Sequence, residues 1–416
     1  MRLIHTADWH LGHRLHDVDR RMEHVAFLDW LVETICERGA DALLMSGDVF
    51  DTANPSADAQ ELWYHFLARC RRENPDVDMV VIGGNHDSAG RLDAPNPLLR
   101  ELGVQIVGGL PRRGREVLID DLLKPISDRD GNVAAWVAAV PFLRTPDLPP
   151  VEAEDPLVSG VALLYQQILD AARDKAGSDC AVIAMGHLYL SGTSLSELSE
   201  RKVLGGNQHA LPADMFPDDV AYVALGHLHL PQEVGRDNVR YSGSPLPLSI
   251  TERAYPHQVV EVVFDGARFV GWEAVPVPRT REIMRIPDAD TLPVSELLAE
   301  LAALPDAEGV EGVEGAEERT PLLEVAALLE RPEPGLRHDV EQALEGKHAR
   351  LVTLKVEHTG LGKTFADREQ VGALADVQHE QVFRLAWNKS YEEDPPREML
   401  AAFHELVDQA MQGSER

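Results

Sequence analysis

The chain has 416 residues, with 39 Lys and Arg against 70 Asp and Glu, a formal net charge of −31 and 44% hydrophobic content. That length is beyond what one core usually organises, so two or three domains are expected. The acidic excess argues against nucleic-acid binding driven by the chain's own charge, because such binding needs Lys and Arg on phosphates.

If the chain handles DNA, bound divalent metals, a local basic patch or a partner must offset the repulsion. Otherwise the excess is a solvated acidic surface. Three cysteines without short spacing, Cys36, Cys70 and Cys180, rule out a disulfide framework and a thiolate zinc site. Cys36 and Cys70 fall on helical patterns and are expected in or beside the core. Met1 to His5 reads as the start of a strand and not as a signal peptide. The longest apolar run, Val133 to Leu143, is too short to span a bilayer, so a cytoplasmic location without a membrane partner is expected.

In chain order, Leu28, Leu31, Val32 and Ile35 sit at helical spacing, with Gly39 as a stop. The apolar run Ala42–Met45 leads into Ser46-Gly47-Asp48. A second helix follows Pro55 and Ser56, with Leu62, Trp63, Phe66 and Leu67 on one face, and a further strand covers Met79–Ile82. This β-α-β-α-β order predicts a sheet with covering helices, and the texture continues to about residue 280. Residues 281–376 alternate strands (Glu282–Ile286, Leu323–Leu328, Leu351–Val356) with helical stretches such as Val294–Leu304. Within them, 305–319 repeats Glu-Gly and reads as a mobile acidic loop. The tail, 377–416, predicts a helix-loop-helix. Val382, Phe383, Leu385 and Trp387 precede a Pro395-Pro396 break, and Leu400, Phe403, Leu406, Val407 and Ala410 then recur at helical spacing.

Polar motifs follow the apolar runs where loops leave strands: Asp8-Trp9-His10, Gly47-Asp48, Gly84-Asn85-His86-Asp87, Gly186-His187 and Gly226-His227-Leu228-His229. In an extended segment, residues i and i+2 face the same side, so Asp8 with His10, and His227 with His229, can reach one metal together. Carboxylate, imidazole and amide oxygen suit hard or borderline divalent ions. Any one Gly-Asp or Gly-His is ordinary turn chemistry, and His5, His13 and His24 are read as structural. The ordered set is what points to metals.

That set resembles the calcineurin-like metallophosphoesterase superfamily. His5–Gly12, Gly47–Thr52, Pro141-Phe142-Leu143-Arg144 and Tyr241–Ser249 narrow the resemblance to the SbcD family of DNA exonuclease subunits. The resemblance implies an α/β (α+β) fold, a four-layer β-sandwich flanked by helices, as a nuclease domain over 1–280. It also implies a small α+β capping domain at 281–376 that positions DNA, and tail helices at 377–416 that bind the partner. By position, Asp8, His10, Asp48 and His229 would hold one ion, and Asp48, Asn85, His187 and His227 the other, with Asp48 bridging. The ions would be divalent, with Mn²⁺ favoured, and would lower the pKa of a water and neutralise phosphate charge. His86 would act in catalysis without being a ligand. Asp51 stands where archaeal and eukaryotic members carry a histidine, and Leu230 where many bacterial relatives carry a basic residue.

The implied activity is 3′–5′ exonuclease and single-strand endonuclease cleavage of double-stranded DNA ends and hairpins in repair and recombination. The implied partner is an SbcC-type ATPase gripped by the tail, with Phe383, Trp387 and Phe403 as anchors, in a heterotetramer built on a homodimer at the nucleoid. Two other readings share parts of this pattern: a small-molecule or cyclic-nucleotide phosphodiesterase, which would need neither the extra domain nor the tail, and a non-catalytic scaffold subunit.

Overall fold

A computed structural model describes residues 1–194, 210–307, 316–359 and eight tail positions (383, 384, 387, 395, 396, 399, 400 and 403). Two mixed sheets pack face to face. Their strands, in chain order, are β1 (Arg2–Thr6), β2 (Ala42–Ser46), β3 (Asp78–Ile82), β4 (Val104–Val107), β5 (Leu123–Ser127), β6 (Val133–Ala139), β7 (Ala181–His187), β8 (Tyr222–Gly226), β9 (Gln232–Val234), β10 (Arg236–Tyr241), β11 (Gln258–Asp265) and β12 (Arg268–Pro276). The first sheet runs β12-β11-β1-β2-β3-β4 and the second β9-β10-β8-β7-β6-β5. In the first, β1 to β4 are mutually parallel; in the second, β6, β7, β8 and β10 are.

Both faces of the central strands are covered, which is why they read as unbroken apolar runs. Leu3, Leu44, Val80 and Ile82 point between the sheets, against Val137, Ile183, Met185 and Tyr222. Their alternating neighbours Ile4, Leu43, Met45, Met79 and Val81 face helices α1 (Arg21–Arg38) and α2 (Ala57–Glu73). Helix α3 (Pro156–Ala176) covers the far side of the second sheet through Val161, Leu164, Ile168 and Leu169. The result is the four-layer sandwich flanked by helices.

Helix α1 stops at Gly39, whose φ of 57° supplies the left-handed cap, and Ser56 caps α2 by accepting from the Ala59 amide at 3.2 Å. Cys36 departs from expectation. It is exposed, because Ile35 takes the core position and the next residue round the helix faces out.

A separate four-stranded sheet follows, built from β13 (Ile283–Ile286), β14 (Leu292–Pro293), β15 (Leu322–Leu329) and β16 (Arg350–His358). The central β15 is parallel to all its partners. Helices α4 (Val294–Ala302) and α5 (Leu336–Ala343) pack on it through Leu297, Leu301, Leu336 and Val340. Ile283 and Leu322 join Leu15, Val18 and Ile250 in a small cluster that ties this sheet to the body. The expected loop at 305–319 is only partly described: residues 308–315 lie outside the described residues, and Ala316–Arg319 forms a helical turn instead of loop. No described helix is long and apolar enough to cross a membrane.

Trp9 is 1% exposed and meets Phe27, Trp63 and Phe66 edge-on, while its indole N–H donates to Thr6 Oγ1 at 2.8 Å. Removing a buried indole of this kind costs about 3–5 kcal/mol. Trp9→Ala is therefore expected to lower the urea midpoint by that free energy, with the m-value unchanged.

Candidate metal centre

The motif residues come together at the carboxyl ends of parallel strands from both sheets, where open α/β sheets leave a crevice. Asp8 and His10 follow β1, Asp48 follows β2, and Asn85 and His86 follow β3. His187 ends β7, and His227 and His229 follow β8. Asp8, His10, Asp48, His187, His227 and His229 are all buried, at 0–4% exposure.

The extended-segment account of Asp8 and His10 does not hold. Their φ angles are 56° and 47°, and Asp48 and His227 sit at 51° and 101°. The backbone turns through the left-handed region at the ligand residues themselves, not only at the glycines before them. Amide bonds enforce it: Asp8 N donates to Gly47 O at 3.0 Å and His10 N to Asp48 O at 3.1 Å, so the loops after β1 and β2 stay zipped beyond the sheet. Gly84 packs on the Asp48 carboxylate so closely that a β-carbon there would overlap it.

The donor atoms converge as a cation requires. His187 Nε2 lies 2.9 Å from Asn85 Oδ1 and 3.3 Å from Asp48 Oδ2, and His227 Nδ1 lies 3.1 Å from Asn85 Oδ1. Ligands about 2.1 Å from one octahedral ion stand about 3.0 Å apart. Beside them, Asp8, His10 and His229 offer ligand atoms within 4.8 Å of one another, as do His10, Asp48 and His86. His10 Nε2 is buried without a hydrogen-bond partner and 3.5 Å from Asp48 Oδ2. The residues fit divalent ions.

Several neighbours, some inside the motifs and one outside them, orient these groups. His229 Nδ1 donates to Glu252 Oε1 at 2.9 Å; the other Glu252 oxygen accepts from the Leu248 amide at 2.7 Å, and the residue is 0% exposed. His187 Nδ1 donates to the Ser46 carbonyl at 2.9 Å, and His10 Nδ1 to Asp51 Oδ1 at 3.2 Å. An imidazole whose Nδ1 carries the proton presents the Nε2 lone pair to a metal. The Asp51 carbonyl also accepts from His86 Nδ1 at 2.7 Å. Asp87 ties the Gly47-Asp48 and Gly83-Gly84 loops together by accepting from the amides of Val49, Phe50 and Gly84 at 3.1, 3.0 and 2.9 Å. No periodicity or spacing marks Glu252, which lies far along the chain from its histidine. His5, read as structural, is buried and bonds Tyr222 and the Leu225 carbonyl across the sheets.

Charge is arranged for cations. Burial opposes ionisation of His187, yet the Asp48 carboxylate beside it pushes its pKa up to about 9. Burial likewise opposes the Asp48 anion, but His187 and then His86 hold its pKa well below the usual carboxylate range. Burial, and then the charge of Asp48, push Asp87 up to about 6 against its three amides. The attraction between His187 and Asp48 is what a divalent ion would take over.

In the tail, Phe383 and Phe403 stack with centroids 4.4 Å apart at 13°, and Trp387 lies 5.8 Å from Phe383. The other apolar tail positions singled out in the sequence, apart from Leu400, lie outside the described residues.

Glu252→Gln is expected to keep the fold and weaken divalent-ion binding at the Asp8–His10–His229 cluster ~10–100-fold, the usual effect of losing a ligand's supporting partner. Calorimetric titration of Mn²⁺ into chelator-treated protein reads this, with a circular dichroism spectrum confirming the fold.

The calcineurin-like phosphoesterase family profile matches residues 1–231, and a family described as the type 5 capsule protein repressor C-terminal domain matches residues 279–391. The SbcD component of the SbcCD nuclease of Rhodobacter capsulatus is 41% identical over 367 residues, covering 86% of this chain and 87% of that protein. The Escherichia coli K12 SbcD component is 35% identical over 290 residues, covering 68% and 69%. Its Bacillus subtilis 168 counterpart is 30% identical over 410 residues, covering 95% and 100%. With its site built for divalent ions, the chain belongs to the calcineurin-like phosphoesterases and, within them, to the SbcD family of metal-dependent nuclease components of SbcCD.

Proposed function

We propose that the chain hydrolyses phosphodiester bonds at double-stranded DNA ends and hairpins, as a 3′–5′ exonuclease and single-strand endonuclease, in complex with an SbcC-type ATPase. The observation that carries this reading is the convergence of loops from two sheets into one buried cluster of carboxylates, imidazoles and an amide. Asp8, His10, Asp48 and His229 would hold one ion, and Asp48, Asn85, His187 and His227 the other, with Mn²⁺ the preferred metal. Bound there, the two ions would lower the pKa of water and neutralise charge on phosphate oxygens.

The chain's own groups do the rest. Asp48 stands between the two sets, with Oδ1 fixed by the His86 amide at 2.8 Å and Oδ2 turned toward His187 and His10. His86 is held through Nδ1 by Asp51 O, beside the His10 ring at 4.7 Å. It donates a hydrogen bond or proton to the departing oxygen. Because the amide that steadies Asp48 is backbone, His86→Ala leaves that contact in place.

The tail aromatics Phe383, Trp387 and Phe403, packed on one another, dock the tail on the base of the ATPase's coiled coil. A heterotetramer, with this chain as a homodimer, brings basic surface that a chain of net charge −31 lacks.

Asp48→Ala is expected to abolish cleavage and to lower occupancy of both ions, whereas His86→Ala keeps its metal and loses ~10²–10⁴-fold in rate. Metal counting beside single-turnover cleavage of a hairpin tests both. Two ions per chain in Asp48→Ala, or metal loss in His86→Ala, would reverse the roles assigned.

Deleting residues 377–416 is expected to leave metal binding and weak Mn²⁺-dependent cleavage, while ending ATP-stimulated degradation of duplex ends. Full-yield co-purification of the truncated chain with the ATPase, stimulation preserved, would place the docking surface elsewhere.

A further inference from the structure

Beside the metal centre is a cavity of about 360 Å³ that the hydrolysis does not use. Phe142, Arg144, Lys124, Arg100, Asp93 and Asn96 line it, so it takes in two residues of the Pro141–Arg144 motif. Phe142 forms the wall shared with the centre. Its amide donates to Gly83 O at 2.8 Å, and its ring meets the His187 ring edge-on at 6.2 Å.

Three bases, Lys124, Arg144 and Arg100, and three acids, Asp93, Asp121 and Asp147, line this cavity. Among the described residues, Lys124, Arg144 and Arg100 make no ion pair, although the chain as a whole is strongly acidic. The acids nearby are committed to backbone: Asp93 Oδ1 accepts from Gly108 N at 2.7 Å and Asp147 Oδ2 from Arg144 N at 2.9 Å. Asp121 sits exposed at the rim. Lys124 is only 8% exposed; burial, then the Arg100 charge, lower its pKa, while the Asp121 and Asp93 carboxylates act the other way. A mostly buried ammonium that no carboxylate contacts directly gains from an anion brought close to it.

An aromatic face and an unused acceptor complete the set. The Arg144 guanidinium lies 5.8 Å from the Phe142 ring centroid. Asn96 donates through Nδ2 to Asp93 Oδ1 and to Ile106 O, while its Oδ1 is buried without a partner. Anion-binding cations, a stacking ring and a hydrogen-bond acceptor together match a nucleotide. The volume lies near the lower end of ligand pockets, about 300–1,000 Å³, which suits one nucleotide.

We propose that this cavity is a nucleotide subsite for the residue adjoining the scissile phosphodiester at a strand end. Its phosphate lies among Lys124, Arg144 and Arg100, its base against Phe142, and a base amino group on Asn96 Oδ1. The assignment rests on reading the chain as a DNA-end nuclease, but its test does not need turnover. Full-length, Mn²⁺-loaded protein is titrated calorimetrically with dAMP, with inorganic phosphate, and with a short duplex whose terminal linkages are phosphorothioates.

The double variant Lys124→Met/Arg144→Ala is expected to bind dAMP and the duplex at least tenfold more weakly. Its affinity for inorganic phosphate, which the metals can also take up, should fall by much less. Phe142→Leu, which keeps every charge, should weaken dAMP about tenfold, and metal content and circular dichroism confirm that each variant is intact. Equal losses for dAMP and phosphate would overturn the nucleotide assignment, as would unchanged dAMP affinity. Loss for dAMP but not for the duplex would give the cavity to the released mononucleotide and overturn the strand-end role. A wild-type chain that binds dAMP this way yet cleaves no DNA would sink the nuclease reading alone.

Discussion

Loops from two different sheets can meet at one site only if both sheets end at the same height, and a polar seam buried between them sets that alignment. His5 on β1 bonds Tyr222 Oη at 2.9 Å and Leu225 O at 3.1 Å on β8, and Ser46 Oγ on β2 donates to Ala224 O at 3.0 Å. Sliding one sheet past the other by a residue would strand these groups in an apolar interior. Each stranded group costs about 1–3 kcal/mol. The apolar contacts of the sandwich supply cohesion without direction; the seam supplies the register on which every ligand loop depends.

Above the seam, hydrogen bonds from one loop fix the next. Asp87 gathers amides from the loops after β2 and β3, His227 N donates to both oxygens of Asp8 at 3.0 and 3.1 Å, and Glu252 reaches in to steady His229. Each ligand's orientation is thus owed to a residue from a different stretch of chain. This over-determination holds carboxylates and imidazoles in close contact, with divalent ions as the natural balance to the buried negative charge.

The alternation of strands and helices is readable because central strands covered on both faces are continuous apolar runs and helices carry a stripe. The candidate ligands are readable because each is a polar residue interrupting such a run where a strand ends. Other features leave no local trace. Glu252 acts through a side chain that meets its histidine only in the folded chain, and nothing in its own surroundings separates it from ordinary surface acids; Asp51 lies in a motif, but its bond to His10 is made only in the fold. The turn at Asp8-Trp9-His10 reads as extended because D-x-H has the same spacing in either conformation. Cys36 eludes the pattern because one residue along a helix decides between core and solvent, and the acidic stretch before β15 conceals the helical turn at Ala316–Arg319.

The left-handed backbone at Asp8, His10, Asp48 and His227 has an evolutionary cost attached. Non-glycine residues held in that region carry about 1–3 kcal/mol each, and glycine would relieve it at every one of these positions. Thermodynamic selection alone would therefore drift toward glycine at four of the metal-centre residues. The centre persists only while function outweighs that pull. Stabilising this protein by design must leave these turns alone and find its gains in the helices and outer loops.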